Sequence, residues 1–231
     1  MAAGSLLETT QNTRDLGGHK TVDGKVTIAN RIYRSDRQEY PSERDIRFLL
    51  ENGITTIIDL RTEDDVLEKP SGFQNREGFY YHNIPIVEGS DIPESVEAVP
   101  KSYMAIATLE ENMPKLWETM ANAPAGVMFN CSAGKDRSGT VTAILLMLCG
   151  VVEEEIVADY MLTKENNLER FELIRQNHPE IDMNIVIPRE SFIQDFMKLF
   201  KERFGNVDGY FKYLGINDII KTKLYKKMME G

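Results

Sequence analysis

Apolar positions along this chain follow two rhythms. Short runs rich in β-branched residues read as strands. "ITTIIDL" (54–60) suits a strand buried in a parallel sheet, and "GVMFN" (126–130) is equally short and apolar. "RIYRSD" (31–36) and "YYHNIPI" (80–86) add two more, and "KTVDGKVTI" (20–28) predicts a hairpin turning at Asp23–Gly24. The second rhythm is helical. "SERDIRFLLENG" (42–53) offers Ser42 as N-cap with Asp45 three residues on, an apolar face of Ile46, Leu49 and Leu50, and Gly53 as a stop. Helix is expected from about Ser102 to Asn122, broken before Pro114 so that Asn112 or Met113 opens a second piece. "GTVTAILLMLCG" (139–150) is too long for a strand and almost wholly apolar, which predicts a buried helix ending at Gly150. Beyond it, "EEEIVADYMLTKEN", "LERFELIRQN", "ESFIQDFMKLFKERFG" and "NDIIKTKLYKKMM" all space their apolar residues three and four apart. Strands alternating with helices, then a helical C-terminal third, predict an α/β fold with a mainly parallel central sheet flanked by helices.

Composition narrows the function. With 231 residues the chain suits one domain with a full-sized core, and 42% hydrophobic with 28% charged residues is ordinary for a globular enzyme. A formal net charge of −10 argues against a nucleic-acid partner, which needs basic patches. No apolar run reaches the roughly 18 residues of a membrane span, so no stable membrane insertion is expected. "MAAGSLLETTQNTRD" shows no signal peptide, and the expected location is the cytoplasm, or outside the cell if a leader has been removed. Cys131 and Cys149 are the two cysteines. The helix expected between them holds them beyond disulfide reach, which fits a reducing compartment. Cys149 reads as core packing.

The chemistry concentrates in "FNCSAGKDRSGT" (129–140), where Cys131 ends a strand and Arg137 opens a helix. The five intervening residues include Gly134, which can take backbone angles closed to other residues. So tight a loop at a helix N-terminus turns successive N–H groups inward as a nest for a tetrahedral anion. Arg137 can fork onto two anion oxygens, with the Cys131 thiolate beneath facing the phosphorus. Activation is demanding. Lowering an ordinary thiol by about three pH units takes roughly 4 kcal/mol, of which a helix terminus supplies perhaps 0.3–2. The remainder falls to the inward N–H groups, Arg137 and a hydroxyl such as Ser138.

Cys-x5-Arg-Ser resembles the phosphate-binding signature of the cysteine-dependent protein tyrosine phosphatase superfamily. The fuller "CSAGKDRSG" is similar to its bacterial branch with an Ala-Gly-Lys-Asp-Arg loop. "NTRDLGG" (12–18), "RIYRSD", "IIDLRTEDD" (57–65), "VADYMLT" (157–163) and "FGNVDGYFKYLGI" (204–216) resemble other segments of that branch, in order along nearly the whole chain. The resemblance implies a single phosphatase domain, 1–231, with the tyrosine phosphatase fold. It implies hydrolysis of phosphotyrosine, and of phosphoserine, phosphothreonine or phosphoinositides in some members, without cofactor or metal. The partner would be a phosphorylated protein or a phosphoinositide; the oligomeric state is not implied. Cys131 matches the nucleophile that becomes phosphocysteine, Arg137 the phosphate clamp, and the backbone of Ser132, Ala133, Gly134 and Lys135 through Arg137 the cradle. Lys135 matches a basic residue associated with lipid phosphates, and Ser138 stands where Thr is commoner. Asp136 matches the branch's general acid, whereas the wider superfamily draws its acid from a separate loop, here Glu88 or Asp91.

One departure matters. Asn130 stands where the superfamily usually has His, and an amide adds no positive charge. That motivates a rival reading, a weakly active or inactive phosphate-binding pseudophosphatase. A thiol redox enzyme of the arsenate-reductase kind would need a resolving cysteine nearer than Cys149. Several other residues have plainer readings. Asp136 can cap the helix and Lys135 can be a solvated loop charge. Arg14, Asp15, Asp59 and Arg61 can orient loops around the site or form structural salt bridges. His19, His82 and His178 show no metal spacing. Glu63, Asp64 and Asp65 suit a solvated helix start, and Lys221, Lys223, Lys226 and Lys227 complement a helix end.

Overall fold

The computed structural model describes residues 4–230, so residues 1–3 and 231 of the expected domain lie outside the described residues. The strands are β1 (Arg14–Asp15), β2 (Ile32–Ser35), β3 (Ile54–Asp59), β4 (Tyr80–Asn83) and β5 (Gly126–Asn130). They form one sheet in the order β1-β2-β5-β3-β4, parallel throughout except for β1 against β2. The expected α/β architecture is what is found. The register aligns the carboxyl ends of four strands at Ser35, Asn130, Asp59 and Asn83. In an open parallel sheet that edge is where ligands bind.

The helices are α1 (Glu43–Glu51), α2 (Glu63–Glu68), α3 (Val99–Ala107), α4 (Asn112–Asn122), α5 (Asp136–Leu148), α6 (Glu153–Asn166), α7 (Leu168–Asn177), α8 (Met183–Val186), α9 (Glu190–Phe204), α10 (Val207–Tyr213) and α11 (Asp218–Met229). Side chains alternate across the sheet with the period of two that a strand imposes. On one face Ile32, Ile58, Val127 and Phe129 join the large core with α3, α4, α5 and α9. On the other, Tyr33, Ile57 and Met128 join a smaller core with Ile46 and Leu49 of α1 and Phe73. Helix α5 runs through the large core, buried from Arg137 to Leu146, and Gly150 stops it at φ +71°. Its hydrophobicity on all sides is thus explained by its position.

Several boundaries differ from expectation, each for a local reason. The Asp23–Gly24 hairpin is reduced to a single bridge, Lys20 to Val26, closed by Thr21 N–H on the Lys25 carbonyl. Val22 and Val26 point to solvent, so nothing is buried that would extend the pairing. Helix α3 starts at Val99 because Pro100 fits its first turn, where a missing N–H costs nothing. Helix α4 begins at Asn112, as the Pro114 break predicts. Ser42 caps α1 by accepting from the Asp45 N–H, also as expected. The short α8 and α10 each begin at an Asp or Asn cap, Asp182 and Asn206.

Candidate active site

The loop after β5 sits at the aligned strand ends, and its carbonyls are held from outside. Ser132 C=O accepts from Arg170 Nη1 at 2.8 Å. Ala133 C=O accepts from the amides of Asn12 (3.0 Å) and Asn167 (2.8 Å). Gly134 C=O accepts from Arg34 Nη2 (2.6 Å) and Asn12 Nδ2 (3.2 Å). With these carbonyls drawn outward, the alternate faces of the same peptides turn their N–H groups toward the loop's centre. Among the described residues no backbone acceptor takes the N–H of Ser132, Ala133, Gly134 or Lys135. Gly134 is required here on two counts. Its φ is +66°, and a Cβ would lie 2.8–2.9 Å from Asn12 Nδ2 and the Ser35 carbonyl. Helix α5 has no side-chain cap, so its first N–H groups add to the same anion nest.

Behind the loop lies a buried charge cluster. Asp159 of α6 is bound by Arg14 Nε at 2.7 Å and by Arg34 Nη1 at 2.5 Å. Burial alone would raise the Asp159 carboxyl, but the two guanidinium groups hold it well below the usual carboxylate range. Arg34, fully buried, is brought down to about 10 by desolvation and by Arg14, against the pull of Asp159. Arg14 also reaches Asn12 Oδ1, at 2.5 Å. The segments "NTRDLGG", "RIYRSD" and "VADYMLT" therefore meet at one place, the back of the loop. Arg14 orients the site through Asp159 rather than through its neighbour Asp15, whose carboxylate accepts from the N–H groups of Gly17 and Asn30.

In front of the loop a cavity of about 230 Å³ is lined by Cys131, Ser132, Ala133, Lys135, Asp136 and Arg137, with Asp91 from the β4–α3 loop. Phe171 and Ile174 of α7, and Ile185 and Val186 of α8, wall it on the far side. Arg137 is buried. Its Nη1 donates to the carbonyls of Leu60 (3.3 Å) and Ile86 (3.2 Å) and to Ser90 Oγ (3.3 Å), and its Nη2 donates to Ser132 Oγ (3.1 Å). Among the described residues its buried Nε has no hydrogen-bond partner. Asp136 does not cap α5. Its Oδ1 accepts from Tyr103 OH at 2.6 Å and lies 3.2 Å from Lys135 Nζ. Tyr103 in turn shares a 2.7 Å hydrogen bond with Tyr160, and burial raises both phenols.

Lys135 is not solvated. It is 6% exposed, and its ammonium donates to the Val186 carbonyl at 2.7 Å and the Ile185 carbonyl at 3.5 Å. Ser138 is buried with its hydroxyl 3.5 Å from the Ser35 carbonyl. Glu88 is exposed and outside the cavity lining, whereas Asp91 is part of it. Asn130 is fully buried and donates to Asp59 Oδ1 at 3.0 Å, while Asp59 is gripped by Arg61 through Nε and Nη2. Cys149 is buried at the far end of α5, its thiol pushed up to about 12 by desolvation. A helix of 13 residues separates it from Cys131, roughly 20 Å.

The sequence carried no clear sign of Arg170, Asn167 or Tyr103. A lone Arg on an amphipathic helix reads as a solvated charge, and a Tyr among apolar residues reads as core. Asp65, read as part of a solvated helix start, does begin α2, but its Oδ2 lies 3.7 Å from Arg137 Nη1. Among the described residues no group of three or more His, Cys, Asp and Glu side chains is placed to hold a metal ion.

A loop of N–H groups without backbone acceptors, beside a cysteine at the carboxyl edge of a parallel sheet, is suited to seating a tetrahedral anion. The profile of the tyrosine phosphatase family matches residues 6–230, and the chain belongs to that family. It is accordingly a phosphoric monoester hydrolase. A Cupriavidus necator protein whose name places it among tyrosine-protein phosphatases is 26% identical over 225 residues, covering 89% of this chain and 82% of that one. A Nostoc commune tyrosine-protein phosphatase is 30% identical over 119 residues, 48% of this chain and 40% of its own. Among solved structures, P. aeruginosa TpbA in complex with phosphotyrosine has 12% identity and a TM-score of 0.34, covering 59% of this chain and 70% of that one. The catalytic core of Siw14 has 14% identity and a TM-score of 0.37, covering 75% and 96%. Among the described residues no helix is long and apolar enough to cross a membrane.

Proposed function

We propose that the protein hydrolyses phosphomonoesters through a phosphocysteine at Cys131, acting as one domain in the reducing cytoplasm. The observation that carries this reading is the buried Arg137 Nε, without a partner among the described residues, beside a loop whose Ser132, Ala133 and Gly134 carbonyls are tied from outside. The Cys131 thiolate attacks phosphorus in line, the phosphorus–oxygen bond breaks, and Asp136 gives its proton to the departing oxygen. Water then attacks phosphorus with the Asp136 carboxylate taking its proton, and sulfur leaves as thiolate toward the Ser138 hydroxyl. Oxygens of the transferred group lie in the N–H cradle of Ser132 to Arg137, with Arg137 Nε and Nη2 as the fork.

Apolar walls of Phe171, Ile174, Ile185 and Val186 favour an aromatic leaving group, so phosphotyrosine in a protein is the preferred substrate. The phosphoinositide reading rests on Lys135, whose ammonium is already engaged by α8 carbonyls and Asp136. The pseudophosphatase reading rests on Asn130, whose amide serves Asp59. The deciding experiment is phosphate release, with chelator and without reductant, from phosphotyrosine peptides, phosphoserine peptides and phosphoinositides. Turnover led by phosphotyrosine is expected. Binding without release would sink the reading, and turnover only of lipid substrates would overturn the substrate.

A further inference from the structure

We propose that the buried Arg14–Asp159–Arg34 cluster supplies the positive charge behind the loop that favours the Cys131 thiolate, a role the strand end does not fill because it carries Asn130. The proposal rests on Cys131 as nucleophile. It is carried by a comparison of the charges around the thiol, element by element. From α7, Arg170 has Asp36 at 3.8 Å. Just after β3, Arg61 is bound to Asp59 at 2.7 Å. At the loop, Lys135 has Asp136 at 3.2 Å, and in front of it Arg137 has Asp65 at 3.7 Å. After β2, Arg37 is bound to Glu39, and Asp91 adds a negative charge at the cavity rim. Each of these cations has a carboxylate of its own, Lys135 only while Asp136 does not carry the proton it donates in the proposed mechanism.

The cluster differs in that two guanidinium groups share one carboxylate. His19 lies near Asp159 but has Glu155 as its own partner at 3.4 Å. One positive charge is therefore left over, in a place that water does not reach, since Arg34 and Asp159 are 0% and 1% exposed at the side chain. Arg34 directs that surplus at the loop. Its Nη2 holds the Gly134 carbonyl at 2.6 Å and lies against Gly139 in the first turn of α5. Cys131 favours the charged form of Arg34 as it does that of Arg170, but the Arg170 charge is balanced by Asp36. A buried unit charge is screened far less than one at the surface, so this cluster acts over a longer reach than an exposed lysine. Arg34 and Arg14 are thus positioning residues that act on Cys131 without touching substrate.

The test is the pH midpoint of Cys131 alkylation by iodoacetate, read on the Cys131 peptide by mass spectrometry, with folding followed by circular dichroism. Arg34→Gln and Arg14→Gln each remove a positive charge and should raise the midpoint by about one pH unit. Asp159→Asn removes the negative charge at nearly constant shape and should lower it by about as much. Arg34→Lys keeps the charge but cannot span Asp159 and Gly134, so the midpoint should stay while kcat falls. A merely structural cluster predicts that every variant moves the midpoint the same way, or leaves it still. Either result in the folded variants overturns the proposal, and Arg14→Gln decides it if Arg34→Gln does not fold. The nucleophile fails separately, by turnover surviving in Cys131→Ser, and that outcome leaves the alkylation midpoints untouched.

Discussion

In the proposed mechanism, replacing Asp136 by Asn separates proton transfer from scaffolding, because the scaffolding contacts engage one carboxylate oxygen. Oδ1 is committed to Tyr103 OH at 2.6 Å and Lys135 Nζ at 3.2 Å, and Asp136 is among the residues that line the cavity. An Asn at this position keeps its oxygen as an acceptor for Tyr103. The scaffolding loss is then the charge assistance of that hydrogen bond, about 1 kcal/mol, and a part-exposed ion pair worth at most about 1 kcal/mol. Both affect all substrates alike. Loss of the acid is different, since proton donation is typically worth 10²–10⁴-fold and matters less as the leaving group weakens as a base. For phenyl phosphate, whose leaving group has a pKa near 10, kcat/KM should fall by the full factor, about 2.7–5.4 kcal/mol at 1.36 kcal/mol per decade. For p-nitrophenyl phosphate the fall should be about tenfold. The assay is kcat/KM on both esters for Asp136→Asn, Asp91→Asn and Glu88→Gln, since kcat alone can report phosphocysteine hydrolysis. Equal losses on both esters at Asp136, with a leaving-group-dependent loss at Asp91, would refute the assignment and move the acid to the β4–α3 loop.

Gly134→Ala should cost about 2–5 kcal/mol of stability, from the φ of +66° and from a Cβ 2.8–2.9 Å from Asn12 and Ser35; chemical denaturation checks it. Arg137→Lys should lower kcat/KM at least a hundredfold while leaving the melting temperature within a few degrees, because an ammonium cannot supply both Nε and Nη2 to one anion. Near-normal kinetics would remove the clamp. Cys149 makes stability sensitive to alkali. Its folded value of about 12 lies above the unbound 9.0, so the contribution is whole below pH 9 and is lost as pH rises through 12. That amounts to up to about 4 kcal/mol, and denaturation of Cys149→Ala from pH 8 to 10.5 should show a correspondingly shallower decline.

What was legible in the sequence follows from how far apart the cooperating residues lie. Cys131 and Arg137 stand in one short segment, so the loop and its helix could be read locally, and the apolar runs around them gave the parallel sheet. The braces could not be read in the same way. Asn12 reaches Ala133 across 121 positions, and Arg14 reaches Asp159 across 145. Asn130 found its partner only through the register that sets Asp59 beside it. Lys135 looked free because the carbonyls that hold it belong to α8, a four-residue helix too short to announce itself. Val99 and Pro100 shifted the start of α3 because a proline in a first turn is permitted where one in mid-helix is not.

The bracing of the phosphate loop has a consequence for the newly made chain. The sheet is complete once β5 has been synthesised, and α5 follows directly. Yet Asp159, Asn167 and Arg170 are among the last groups to reach the loop, and each holds a side chain or a carbonyl that shapes it. A nascent chain that ends before α6 therefore carries Cys131 and its loop without these braces. Its thiol meets no oriented phosphate and has no means of turning one over. Catalytic competence arrives late in synthesis, when the helical third folds back, and on partial unfolding it should be the first property to go, while the sheet still stands.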